Sequence, residues 1–159
     1  DHRLLAILLT LGATADMVLE LAFVAGAAIF ALGHVVAILL YLRNRSRPPL
    51  PWARVLPPFA GLVLWAVILR GLVPPDWVMP VAVYSLFLTA MLVAAALSRF
   101  VLAANGAALF VLSDALIFAR MGPLEGAAWA DPAIWALYFA GQALIAWGVV
   151  SGLRREIAA

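Results

Sequence analysis

The chain has 159 residues, of which 67% are hydrophobic and 11% charged, against roughly a quarter charged in ordinary soluble domains, so it reads as an integral membrane protein. Cysteine is absent and His2 and His34 are the only histidines, which excludes disulfides, thiolate chemistry and a three-histidine zinc site. The net charge of +2 rests entirely on arginine, mostly in loops, and this basicity speaks of membrane orientation rather than of nucleic-acid binding.

Six apolar segments of spanning length follow one another, at 3–21, 23–43, 53–72, 77–98, 101–120 and 132–153, since about 20 apolar residues cross the hydrocarbon core. The connections are short and punctuated by proline: 43–51, 73–76, a tight join at Ser98-Arg99, and the longer 121–132. Proline stops a helix because it lacks the N–H and fixes φ. Backbone groups cannot stay unpaired in lipid and no segment alternates with period two, so the expected fold class is all-α, a polytopic transmembrane helix bundle in a single membrane domain. If the 43–51 loop is cytoplasmic, Arg3, Arg43, Arg45, Arg47, Arg54, Arg99, Arg154 and Arg155 fall on that side and only Arg70 and Arg120 on the other. Both termini then face the cytoplasm, in a cell membrane of the bacterial inner type. The first segment is not a signal peptide, because further spans follow at once without a cleavage site and soluble domain.

With this topology the polar residues can be placed by depth. Asp16 lies below the outer end of the first helix, with Glu20 near the rim; His34 falls near the middle of the second; Asp114 lies on the fifth, and Tyr138 and Gln142 on the sixth. They occupy one layer. An internal repeat links the two halves: Ala15–Leu19 resembles Ser113–Ile117, and Phe23–Gly33 resembles Tyr138–Gly148. A parallel repeat of this kind carries Asp16 onto Asp114 at equal depth and makes the two carboxylates candidates for one site. Charged groups at depth cost at least ~2.5–3.5 kcal/mol and default to a functional reading. The structural alternative is that such an Asp only glues helices, and His34, Tyr138 and Gln142 also recur in that role. Asn105, Tyr41, Tyr84, Ser85 and Thr89 read as structural, and Gly26, Gly33, Gly141 and Gly148 as sites of close packing.

Three stretches carry a family resemblance. The run from Ala15 to His34, the run from Asn105 to Ile117 ("NGAALFVLSDALI") and the run from Leu137 to Gly148 ("LYFAGQALIAWG") resemble the YhhN family of membrane lysoplasmalogenases. The family's features are a Gly-Asp ahead of a Phe-x-x-Gly helix carrying His, a Gly-Ala-x-x-Phe-x-x-Ser-Asp helix and a Tyr-x-x-x-Gln helix. Here the Gly before Asp16 is Ala15, and the aromatic usually three residues after the His is Ala37. The resemblance is weakest from about 45 to 97. It implies two further helices ahead of the first Asp helix, eight in the intact protein as four plus four. It also implies hydrolysis of the vinyl ether bond of a lysoplasmalogen, a lysophospholipid drawn from membrane lipid, to a fatty aldehyde and a glycerophospho-alcohol. The implied catalytic pair is Asp16 and Asp114, facing each other across a lipid-accessible pocket; two carboxyl groups in one apolar pocket are disfavoured as two anions, so one acts as acid and the other as anion. Glu20, His34, Ser113, Tyr138 and Gln142 form the substrate-binding set, with no metal or other cofactor required.

Two other classes use the same residues. A proton-coupled transporter or channel would employ the buried Asp pair and His34 as a relay; a non-catalytic assembly protein would use them as helix glue. The arginine asymmetry is checked by topology reporters: fusions after Arg45 and after Arg154 are expected to report the same, cytoplasmic, face, and opposite faces would refute the assignment.

Overall fold

The computed structural model describes residues 1–46 and 51–157, with helices and turns and no strand among them. Six helices make up the bundle: α1 His2–Leu19, α2 Phe23–Arg43, α3 Leu56–Val67, α4 Val78–Ala96, α5 Val101–Arg120 and α6 Ala130–Ile157. The protein is a helical membrane bundle, and five of these helices are long and apolar enough to cross a membrane. The third apolar segment is shorter than its hydropathy suggests. Prolines at 57 and 58 start α3 late, and a π-helical turn, Ile68–Leu72, follows it until Gly71 adopts φ 102°. A positive φ is open to glycine and ends the helix there. Arg47, counted above on the cytoplasmic side, lies outside the described residues.

Neighbours in sequence pack as antiparallel hairpins, α1 with α2 and α5 with α6, and α4 sits between α2 and α5. The end that carries the chain start is tied together by Asn44, a residue only 6% exposed. Its amide nitrogen donates to the Asp1 carboxylate and to the Leu40 carbonyl, and its amide oxygen accepts from Arg99 Nε and Nη2 at 3.1 and 2.8 Å. Backbone bonds from Arg99 to Asn44 and from Ser46 to Leu97 close the same junction. The tight join at Ser98-Arg99 therefore meets the end of α2, and α2 and α4 run in the same direction.

Small residues set the helix separations. A Cβ added to Gly148 would meet the Ala103 nitrogen at 2.5 Å, and one added to Gly141 would meet the Gly106 carbonyl at 2.9 Å, so α5 and α6 touch backbone to backbone. In lipid, where no hydrophobic force draws helices together, this close approach supplies the packing.

The same contacts correct the register of the repeat. Across α1 and α2, Gly33 faces Leu8 and Leu11; across α5 and α6, Gly141 faces Gly106 and Phe110. With Asp16 laid on Asp114, Leu8 corresponds to Gly106, so Gly33 corresponds to Gly141, Phe30 to Tyr138 and His34 to Gln142. The match of Phe23–Gly33 with Tyr138–Gly148 is out of step by about two helical turns. The cause is the connection. α2 starts directly after the turn that follows α1, whereas α6 runs from Ala130 and reaches Tyr138 only after two turns of helix. Runs of Ala and Gly resemble one another at several offsets and cannot fix which turn faces which.

Replacing Gly148 by Leu should force α5 and α6 apart and cost about 1–3 kcal/mol, read as a lower thermal midpoint in detergent. Trp147→Leu, at a residue 69% exposed on the lipid side, should leave the midpoint nearly unchanged.

Candidate active site

Each intramembrane carboxylate has a tyrosine. The Tyr84 hydroxyl, from α4, donates to Asp114 Oδ2 on α5 at 2.8 Å; the Tyr138 hydroxyl, from α6, donates to Asp16 Oδ2 on α1 at 2.7 Å. A phenol that gives its proton away still has an oxygen to satisfy. His34 Nε2 lies 3.1 Å from the Tyr84 oxygen and Gln142 Nε2 lies 3.4 Å from the Tyr138 oxygen. Because Tyr84 donates to Asp114, His34 is the donor to Tyr84 and Nε2 carries the proton. Two chains of the same design result, His34 to Tyr84 to Asp114 and Gln142 to Tyr138 to Asp16. The nitrogen donors, His34 and Gln142, are the residues made equivalent by the corrected repeat.

The tyrosines are not equivalent. The position on α2 that corresponds to Tyr138 is Phe30, which has no hydroxyl, and α4 supplies the partner of Asp114 instead. The two chains are joined by rings: Tyr138 meets Phe110 at 5.4 Å, Phe110 meets His34 at 5.4 Å and His34 meets Tyr84 at 5.5 Å between centroids. No hydrogen bond links Asp16 to Asp114 among the described residues.

A lateral cavity of about 350 Å³ opens between α2, α4 and α5. Its walls are mostly apolar, and its lining includes Tyr84, Asp114 and, toward one end, Trp77. Lining residues Val24, Leu32 and Val83 are 65%, 58% and 48% exposed, which places the opening on the lipid-facing flank. Phe23 and Trp77 meet edge to face at the end where α1 turns into α2. A second, interior cavity of about 20 Å³ is lined by Gly12, His34, Tyr41 and Gln142 among others. Asp16 lines neither of these two cavities.

The residues singled out in the sequence thus fall into different places. Asp114 is buried at the lateral cavity, His34 stands behind it, and Asp16, Tyr138 and Gln142 form the second chain. Of the two carboxylates, Asp114 lines the lateral cavity and Asp16 does not, and the rings of Phe30, Phe110 and Tyr138 meet one another beside the two chains. Ser113 is fully buried but its hydroxyl donates to the Ile134 carbonyl at 3.0 Å, a bond between α5 and α6 that takes it away from the cavity. Glu20 caps α1 and is exposed, adjoining Leu19 of the cavity wall. Tyr84, which reads as structural from sequence, is the residue that ties the Asp114 cluster together. The available signal was a lone phenol in an apolar helix at mid-depth, and it could not reveal that α4 packs against α5 at the Asp114 turn. Ser85, its neighbour, is structural: its hydroxyl donates to the Val81 carbonyl.

If His34, Tyr84 and Asp114 act as one unit, a double-mutant cycle between His34→Leu and Tyr84→Phe should give a coupling of about 0.5–3 kcal/mol in unfolding experiments. Simple additivity would show that the hydrogen bond between them carries no energy.

No curated protein and no solved structure matches the chain. A family model described as the YhhN family matches residues 1–149, which includes both carboxylates, both tyrosines, His34 and Gln142, and the chain belongs to that family.

Proposed function

We propose that the protein is a membrane-embedded hydrolase that cleaves the vinyl ether bond of lysoplasmalogens, releasing a fatty aldehyde and a glycerophospho-alcohol. The observation that carries this reading is the lateral cavity, an apolar space with a carboxylic acid and a phenol at its inner wall. Its size falls in the range of roughly 300–1,000 Å³ typical of small-molecule sites. A single-chain lipid can enter from the membrane through the exposed flank, lay its alkyl chain along the apolar walls and bring its polar end toward Glu20, Phe23 and Trp77. Membership of the YhhN family supports the same chemistry.

A vinyl ether is cleaved by acid. Asp114, hydrogen-bonded by Tyr84, delivers a proton to the β-carbon, the electron pair of the double bond forms the new C–H bond, and the α-carbon becomes an oxocarbenium ion stabilised by the carboxylate left behind. Water adds to that carbon, loses a proton to the carboxylate and forms a hemiacetal. Collapse of the hemiacetal expels the glycerol oxygen as an alcohol and leaves the aldehyde. Asp114 stands at the cavity and takes the acid and base roles; Asp16, held by Tyr138 and Gln142, is the second carboxylate, and His34 orients Tyr84.

Mass-spectrometric analysis of products after offering the purified protein lysoplasmalogens mixed with ester lysolipids tests the activity. Aldehyde release from the vinyl ethers alone is expected, whereas substrate-dependent proton flux in liposomes without aldehyde would favour a transporter. General acid–base groups contribute ~10²–10⁴-fold, so Asp114→Asn should lose at least about a hundredfold in activity with the fold intact. Asp16→Asn should lose less, because Asp16 lines neither cavity. Near wild-type turnover in Asp114→Asn would eliminate the proposed acid.

A further inference from the structure

The interior cavity is lined by a member of each of the two hydrogen-bond chains. His34, the donor at the head of one chain, and Gln142, the donor at the head of the other, both line it, and Gly12 on α1 lies beside Gln142. Tyr41 lines it as well. Tyr41 is fully buried, and its hydroxyl has no hydrogen-bond partner among the described residues. Leaving a buried hydroxyl without a partner is costly, so a polar group in this position calls for one. The volume of about 20 Å³ exceeds the roughly 10–15 Å³ that one water molecule requires, and a water site also needs two to four polar partners; the polar side chains of the lining are those of His34, Tyr41 and Gln142.

We infer that the interior cavity binds a water molecule that joins the two carboxylate clusters into one continuous hydrogen-bond chain, from Asp114 through Tyr84 and His34 to the water, and on through Gln142 and Tyr138 to Asp16. The valences close. With Nε2 donating to Tyr84, the His34 ring keeps Nδ1 as an acceptor; with its nitrogen donating to Tyr138, Gln142 keeps Oε1 as an acceptor; the Tyr41 hydroxyl has a proton to give. One water donates to His34 and to Gln142 and accepts from Tyr41. Two carboxylates separated by aromatic rings are thereby connected through polar atoms, and Tyr41 becomes a positioning residue for the water.

Two measurements on the resting protein test this, and neither uses substrate, so a failure of the hydrolase reading leaves them interpretable. The first is a crystal structure at a resolution that shows ordered water. Density for a water oxygen within hydrogen-bond distance of the Tyr41 hydroxyl and of at least one of His34 and Gln142 is expected; a cavity without density overturns the inference. The second is the thermal midpoint of Tyr41→Phe, which keeps the ring and removes the hydroxyl. A hydroxyl bound to water stabilises the fold, so the midpoint should fall. A hydroxyl with no partner is a burden, and its removal would leave the midpoint at or above that of the parent protein, which also overturns the inference.

Discussion

Hydrocarbon offers no hydrogen bonds, and every polar group that the bundle carries into it must be satisfied by another part of the protein. Helices settle this for the backbone. For the side chains the requirement propagates outward from the two carboxylates: each accepts a hydrogen bond from a tyrosine, each tyrosine oxygen then takes a donor of its own, and the donors are a histidine and an amide. Satisfying Asp114 commits α4 and α2 to the face of α5 that bears it. Satisfying Asp16 commits α6 to α1. The same polar residues thus link α2, α4 and α5 on one side and α1 and α6 on the other.

Close packing makes these bonds reachable. Gly106, Gly141 and Gly148 bring the backbones of α5 and α6 together, and the Ser113 hydroxyl adds a bond to the α6 backbone. Tyr138, one turn from Gly141 on α6, then reaches across to α1. The hairpin of α1 and α2 is built in the same way around Gly26 and Gly33, with side chains rather than backbone opposite Gly33.

The two halves differ at the cavities. Phe30 stands where the other half has Tyr138, and its ring lines both the lateral and the interior cavity. It stands between the lateral cavity and the smaller one that His34, Tyr41 and Gln142 help to line. The His34–Tyr84 hydrogen bond crosses between them, since His34 lines the interior cavity and Tyr84 the lateral one. Asp114 is thus met by the lateral cavity on one side and by the His34–Tyr84 hydrogen bonds on the other.

Composition and hydropathy were enough to read the class of the fold, most helix limits and the layer of Asp16, His34, Asp114, Tyr138 and Gln142, because depth along a helix is counted directly in residues. The family was legible for a related reason: its motifs are short runs on single helices. What lay beyond the sequence were relations around the helix axes and between distant helices. Tyr84 lies in the part of the chain with the weakest motif, and only the packing of α4 against α5 shows that its hydroxyl reaches Asp114. The sequence match of the repeat lies about two turns from the register that the contacts of Gly33 and Gly141 give, because Ala- and Gly-rich runs match at many offsets. That Asp114 and not Asp16 lines the lateral cavity depends on helix rotation, which no run on a single helix records. Depth is a property of one helix in a membrane and is written in its sequence; rotation and pairing are properties of the bundle, set by which surfaces pack together.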